Sequence, residues 1–207
     1  MRIDPAGWPF IGGALVLAIA AAFFFSTTLG VVLAALLAFF LFFFRDPERV
    51  VTTAPHMVLS PADGRVMVAG RSASRDFPAD RWQQISIFLS PMDVHVNRMP
   101  VAGRVTKVEY HPGSFLPAYK PDAGDHNEYT EVWVELADGR TVVFRQIVGI
   151  LARRIVCRAK VGDEVKAGDR FGVMKFGSRM DLFLPLDAVI KVKVGDKVVA
   201  AVTVLAE

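Results

Sequence analysis

Two regimes of patterning divide the chain. From Trp8 to Phe44 no side chain is charged, and the run of Ala, Leu, Val and Phe is broken by Gly12-Gly13, Ser26-Thr27-Thr28 and Gly30. A solvated helix keeps a polar face, so a stretch that is apolar all round belongs in lipid or in a core. It exceeds the roughly 20 residues that one span needs, and Ser26 to Gly30 cuts it into two pieces near the lower limit. The pattern predicts an N-terminal α-helical membrane hairpin over residues 1–44, with its turn at Ser26–Gly30 in the far interface, where hydroxyls and headgroup water satisfy the amides. Arg2 at one end and Arg45 and Arg49 at the other put both ends on the cytoplasmic face of the cell membrane. A secretory signal peptide fits less well, because the apolar region is too long and lacks a small-residue cleavage site before the Phe-rich stretch. One tilted span and a shallow interfacial hairpin are the other arrangements open to it.

After Arg45-Asp46-Pro47-Glu48-Arg49 the period shifts to short β-branched runs separated by turn residues. They are Gly64–Val68, Gln84–Leu89, Gly103–Val108, Glu131–Leu136, Thr141–Phe144 and Val189–Val194, an all-β signature. Asp138-Gly139 between two of them is a hairpin signal that asks for positive φ. Two echoes run through this part. Pro61-Ala62-Asp63-Gly64-Arg65-Val66 returns as Pro100-Val101-Ala102-Gly103-Arg104-Val105, and Lys160-Val161-Gly162-Asp163-Glu164-Val165 as Lys193-Val194-Gly195-Asp196-Lys197-Val198. They predict a mainly β domain over residues 45–207, built of two similar β-halves folded on each other.

The 207 residues suffice for a membrane segment plus one such domain. Nearly all charge lies after residue 44, so the formal net charge of +3 belongs to the β domain and favours an orientation close to anionic headgroups. Lys and Arg are scattered rather than clustered with aromatics, which argues against a nucleic-acid partner. The lone Cys157, in Ile155-Val156-Cys157, reads as a core residue and excludes an intrachain disulfide.

Chemistry-bearing residues fall in a few places. Asp63, in Ser60-Pro61-Ala62-Asp63-Gly64, reads by itself as a turn aspartate. The alternation of Leu89-Ser90-Pro91-Met92-Asp93-Val94-His95-Val96-Asn97-Arg98-Met99-Pro100 predicts a strand with Asp93, His95 and Asn97 on one face, where a carboxylate can orient the imidazole. The Pro- and Gly-rich stretch from Tyr110 to Asn127 reads as a lid or entrance. His111 and His126, with Asp122 and Asp125, match no compact ligand spacing and read as surface loop residues, so no metal is expected. His56, after Pro55, has no supporting constellation. Gly177-Ser178 follows a stretch, Val161 to Lys175, that predicts a β-hairpin with the pair in its bend.

Three motifs taken together are more specific. Asp63 in Ser-Pro-Ala-Asp-Gly, His95 in Leu-Ser-Pro-x-Asp-Val-His-Val-Asn-Arg-x-Pro, and Gly177-Ser178 in Phe-Gly-Ser-Arg resemble, in that order, the short form of the phosphatidylserine decarboxylases from about Phe44 to Glu207. The resemblance implies decarboxylation of the serine headgroup of phosphatidylserine to give phosphatidylethanolamine. It implies a covalent pyruvoyl cofactor made from Ser178 by self-cleavage between Gly177 and Ser178, and a Schiff base from it to the substrate. The carbonyl of Gly177 would be attacked by Ser178, with His95 as general acid/base and Asp63 orienting that histidine. The implied partners are the phospholipid and the membrane, with the two fragments forming a heterodimer and a higher homo-oligomer left open. Longer bacterial relatives carry a second histidine three places after the first; here that position is Arg98, which leaves open how self-cleavage and turnover are divided and whether His95 serves both.

Two other readings compete. Gly162-Asp163-x-Val165-x-x-Gly168-Asp169 followed by Val173-Met174-Lys175-Phe176 resembles the hairpin of biotinyl and lipoyl carrier domains, which would make Lys175 the modified residue. That likeness is also one of architecture, a barrel-sandwich of two β-halves. A non-enzymatic membrane adaptor is the second rival.

Overall fold

The computed structural model describes residues 2–52, 54, 56–150, 154–175 and 177–207. Phe176, quoted in the Gly177-Ser178 motif, and Pro55 lie outside the described residues. Contacts divide the chain into two units, one up to Glu48 and one from Arg49 to Glu207.

The first unit is a helix pair, as the apolar run requires. α1 (Trp8–Phe24) and α2 (Thr27–Phe43) have 17 residues each and pack on each other. With the 3-10 turn before α1, Pro5–Phe24 is long and apolar enough to cross a bilayer; α2 is shorter. The turn is tighter than predicted. Only Phe25 and Ser26 separate the helices, and Ser26 caps α2 by accepting a hydrogen bond from the Leu29 amide at 3.2 Å. Gly30 therefore lies inside α2, where a Cβ would stand 2.7 Å from that of Ala22; it serves helix packing, not the turn. Two short strands, β1 (Arg2–Ile3) and β2 (Arg45–Asp46), pair antiparallel and close the open end of the hairpin.

The second unit is mainly β. In chain order come β3 (Val58–Leu59), β4 (Gly64–Arg71), β5 (Trp82–Leu89), β6 (Val96–Arg98), β7 (Gly103–His111), the single-turn α3 (Ala123–His126), β8 (Tyr129–Glu135), β9 (Thr141–Ile147), β10 (Ile155–Cys157), β11 (Glu164–Val165), β12 (Arg170–Met174), β13 (Ser178–Pro185), β14 (Lys197–Val198) and β15 (Val204–Ala206). A curled eight-stranded sheet runs β11-β7-β8-β9-β13-β5-β4-β14, a three-stranded sheet β10-β12-β6, and β15 pairs with β3. The Asp138-Gly139 hairpin forms between β8 and β9, with Gly139 at φ +82°.

The two halves are equivalent in detail. β14 pairs with β4 through Lys197↔Arg65 and Val198↔Gly64, as β11 pairs with β7 through Glu164↔Arg104 and Val165↔Gly103. The Val66 amide donates to Asp196 O and the Val105 amide to Asp163 O, both at 2.9 Å. Asp163 and Asp196 cap their turns on the amides of Lys160 and Lys193. Each half thus has a capped Gly-Asp turn feeding a short strand onto a longer one, with β9 and β13 meeting at the centre.

The core fills the concave face with Ile85, Ile87, Val132, Val142, Phe144, Met180, Leu182 and their neighbours. Two predicted strands differ. Val189–Val194 forms only a bridge at Ile190 to Ala206, because Val189 and Val194 are exposed and only Ile190 and Val192 reach the core. The stretch after Leu89 turns at Pro91–Asp93 before a three-residue strand, β6. Cys157, on β10, packs against the core edge, and burial pushes its thiol pKa up.

Candidate active site

The Gly177-Ser178 pair is not the tip of a hairpin. β12 belongs to the three-stranded sheet and β13 to the eight-stranded one, so the chain passes from one sheet to the other between Met174 and Ser178. Gly177 sits at φ +76°, a left-handed conformation that L-residues resist, although nothing within 4 Å would block a side chain. On the other flank, a Cβ on Gly149 would overlap the carbonyl oxygen of Gly177, so the loop after β9 touches that peptide with bare backbone. Ser178 opens β13 opposite Leu89, on the same face as Met180 and Leu182, and is fully buried. Its Oγ has no hydrogen-bond partner among the described residues. A buried hydroxyl with nothing to bond among the described residues, beside a glycine in a left-handed bend, suits a nucleophile poised by the fold.

His95 is brought to the same place. The Ser90–His95 loop is tied at both ends to the crossing segment: Leu89 pairs with Ser178, and His95 O accepts a hydrogen bond from the Met174 amide at 3.2 Å. The imidazole is fully buried, and its Nδ1 donates to the carbonyl of Asp93 at 3.0 Å. That carbonyl fixes the tautomer and leaves Nε2 as the basic nitrogen. The carboxylate of Asp93 does something else: it accepts from the Ser90 amide and hydroxyl at 2.8 and 2.7 Å, closing the turn. The predicted strand face of Asp93, His95 and Asn97 is therefore replaced by a capped turn running into β6, and Asp93 orients the ring through its backbone.

Asp63 lies in a neighbouring turn, joined to this region by the Arg98 amide, which donates to Pro61 O at 2.9 Å. Its Oδ1 accepts from the Ala200 amide and its Oδ2 from Arg49 Nη2, each at 2.8 Å. Burial pushes the Asp63 carboxyl above the usual carboxylate range; the Ala200 hydrogen bond and the Arg49 cation pull against this, and the Asp93 charge adds to the rise. Arg98 is buried and donates from Nη1 to Gly168 O at 3.1 Å.

Several residues here were not singled out from the sequence. Gln146, on β9 opposite Met180, donates from Nε2 to Asn97 Oδ1 at 2.8 Å, both side chains fully buried. Arg179, on the far face of β13, binds Asp181 at 2.6 Å and Ser86 at 3.0 Å, and reaches the carbonyls of Lys120 and Pro121. Asn127 holds the same loop through Leu116 N, Leu116 O and Val148 O, each at 2.8 Å. The available signal was polar side chains alternating into otherwise apolar strands, as in Arg179-Met180-Asp181. The 110–127 stretch is thus pinned beside the crossing segment, with Ala118 packed against Gly149. His126 is exposed at the end of α3, and His56 is exposed in a turn. His111 stacks on Tyr129 and, with Glu109 and Glu131, forms a group whose ligand atoms lie within 4.8 Å. Glu131 there already accepts from Arg145 at 2.7 Å, on the sheet face away from Ser178.

A model of the phosphatidylserine decarboxylase family matches residues 36–206. The chain belongs to this family. It is 42% identical over 201 residues to the phosphatidylserine decarboxylase proenzymes of Burkholderia multivorans and Burkholderia cenocepacia, covering 97% of this chain and 94% of each relative. The proenzyme of Burkholderia vietnamiensis matches at the same identity over 202 residues. Membership of the phosphatidylserine decarboxylases makes the chain an enzyme and sets aside the carrier and adaptor readings. Lys175 accordingly sits in the inter-sheet crossing rather than on a hairpin tip.

Proposed function

We propose that the chain decarboxylates the serine headgroup of phosphatidylserine to phosphatidylethanolamine, using a pyruvoyl group that it makes from Ser178. The observation that carries this reading is the buried Ser178 Oγ without a hydrogen-bond partner, next to Gly177 at φ +76°. His95 Nε2 takes the Oγ proton, and Oγ attacks the Gly177 carbonyl carbon. The Gly177–Ser178 C–N bond breaks, giving an ester and a free amine. Loss of the Ser178 Cα proton then expels the Gly177 carboxylate with the former Oγ, leaving dehydroalanine. Tautomerisation and water convert this to the ketone with release of ammonia.

Asp63 acts by its charge and not by orienting the ring, which the Asp93 carbonyl holds. Held by Arg49 and the Ala200 amide, it supplies a fixed negative charge that favours the imidazolium formed as His95 takes the proton. The pyruvoyl carbonyl supplies the electron sink that takes up the pair released with carbon dioxide. His95 then returns a proton to the substrate carbon. The apolar helix pair holds the enzyme at a membrane, with the β domain on its cytoplasmic side, where the phospholipid is reached.

Ser178→Ala tests the reading. Loss of both cleavage and decarboxylation is expected; appreciable turnover by that variant refutes it. In His95→Ala, loss of cleavage supports the general-base role, whereas normal cleavage with lost turnover would confine His95 to the second reaction.

A further inference from the structure

The pair Asn97 and Gln146 is built like a binding site. Gln146 lies on the concave face of β9, opposite Met180, and Ser178 is the next residue on that face of the adjacent strand. Such a diagonal neighbour is about 7–8 Å away. Asn97 reaches the pair from the three-stranded sheet, two residues after His95, where it sits opposite Gly172. Gly172 makes room: a Cβ there would stand 2.6 Å from Gln146 Nε2.

The bond between the amides uses one donor and one acceptor. Asn97 Nδ2 and Gln146 Oε1 are left buried with no hydrogen-bond partner among the described residues. The count is the same if both amides are turned over. Interiors rarely leave an amide donor and an amide acceptor unsatisfied side by side, so the position calls for a guest that offers an acceptor and a donor together.

We propose that Asn97 and Gln146 are the specificity subsite for the amino-acid headgroup, Asn97 Nδ2 donating to its carboxylate and Gln146 Oε1 accepting from its amine. This rests on the decarboxylase reading above. A serine headgroup carries both groups on one carbon and matches the pair; the ethanolamine product keeps the amine and leaves Nδ2 unmatched, which favours its release. Neutral amides suit the task. An arginine would hold the carboxylate more firmly and stabilise the charge that the reaction must disperse, whereas an amide recognises it with a weaker bond.

The test uses the full-length, self-cleaved enzyme with Asn97→Leu, Asn97→Ser and Gln146→Met. Intact mass is expected to show complete cleavage in each, because Ser178, Gly177 and His95 are untouched. With dihexanoyl phosphatidylserine, each variant should raise KM at least tenfold while kcat changes by less than threefold. Calorimetry with dihexanoyl phosphatidylethanolamine provides a readout independent of turnover. Its Kd should stay within twofold of wild type in the Asn97 variants and rise at least fivefold in Gln146→Met. A merely structural pair would weaken substrate and product binding alike in all three. Unchanged KM, lost cleavage, or equal weakening of both lipids in the Asn97 variants overturns the proposal. If Asn97→Leu does not fold, the smaller Asn97→Ser carries the same comparison. An uncut, inactive wild type would instead sink the decarboxylase reading itself.

Discussion

At Gly177 and Gly149 the same residue type is demanded for two different reasons. Gly177 has open space around it but a positive φ, so an alanine there would carry about 1–2 kcal/mol of backbone strain. Gly149 has no room, because its Cβ would overlap the Gly177 carbonyl. Gly177→Ala should therefore fold and cut itself about tenfold more slowly, as followed by gel electrophoresis after synthesis. Gly149→Ala should displace the scissile carbonyl and leave most of the chain uncut; cleavage at the wild-type rate would show that the contact is dispensable.

Asp63 offers a pH test at the same scale. Its carboxyl is already raised by burial, and Arg49 is one of the groups holding it down. Removing that cation in Arg49→Gln raises it further, so the ionised form is lost at a higher pH on acidification. The acid limb of the self-cleavage rate should then move to higher pH; an unmoved limb would mean that Asp63 does not need to be ionised. The resemblance pointed to Asp63 and His95, but not to the way the ring is held. A backbone carbonyl two residues upstream leaves no trace in residue type, so the Asp93 carbonyl was invisible where its carboxylate was conspicuous.

Among the elements, the 110–127 loop is held by two side chains, Arg179 at Lys120 and Pro121 and Asn127 at Leu116. Asn127 makes three hydrogen bonds, two part-buried ones to Leu116 and a buried one to Val148, and joins the loop to the segment that ends in Gly149. Asn127→Ala should cost about 2–3 kcal/mol, from bonds worth about 1 kcal/mol each. The corresponding fall in Tm should be accompanied by faster amide exchange in residues 112–122. A drop in Tm without that local exchange would place the damage elsewhere.

Turn chemistry and period were the readable part of these elements. Asp138-Gly139, the paired Gly-Asp turns and most long strands follow from them. Two strand predictions failed for separate reasons. Val189–Val194 is β-branched but half exposed, whereas the stretch after Leu89 is buried from Val94 onward and turns because the Asp93 carboxylate closes on Ser90. The hairpin predicted at Gly177-Ser178 failed for a different reason, since which sheet a strand joins is a long-range choice that local pattern does not encode.

For the whole molecule, self-cleavage would cut the chain at the seam between sheets without dismantling the fold. Residues 178–207 contribute β13, which lies between β9 and β5 at the centre of the eight-stranded sheet, along with β14 and β15. Five registered positions join β13 to β9 and eight join it to β5, so fragments cut there would stay associated as a heterodimer. The internal duplication was legible from its turns, and the helix pair from its uncharged run. The site itself was legible only as three separated motifs, because their convergence depends on the crossing from β12 to β13 and on the loop tying Leu89 to His95.

Intact mass spectrometry of the purified protein tests the central claim most directly. It should give two polypeptides, residues 1–177 and 178–207, the smaller lacking a free amine, carrying a ketone, and lighter by one ammonia than a serine-terminated peptide. A single uncut chain with full decarboxylase activity, or a smaller fragment that begins with an intact serine, would contradict it.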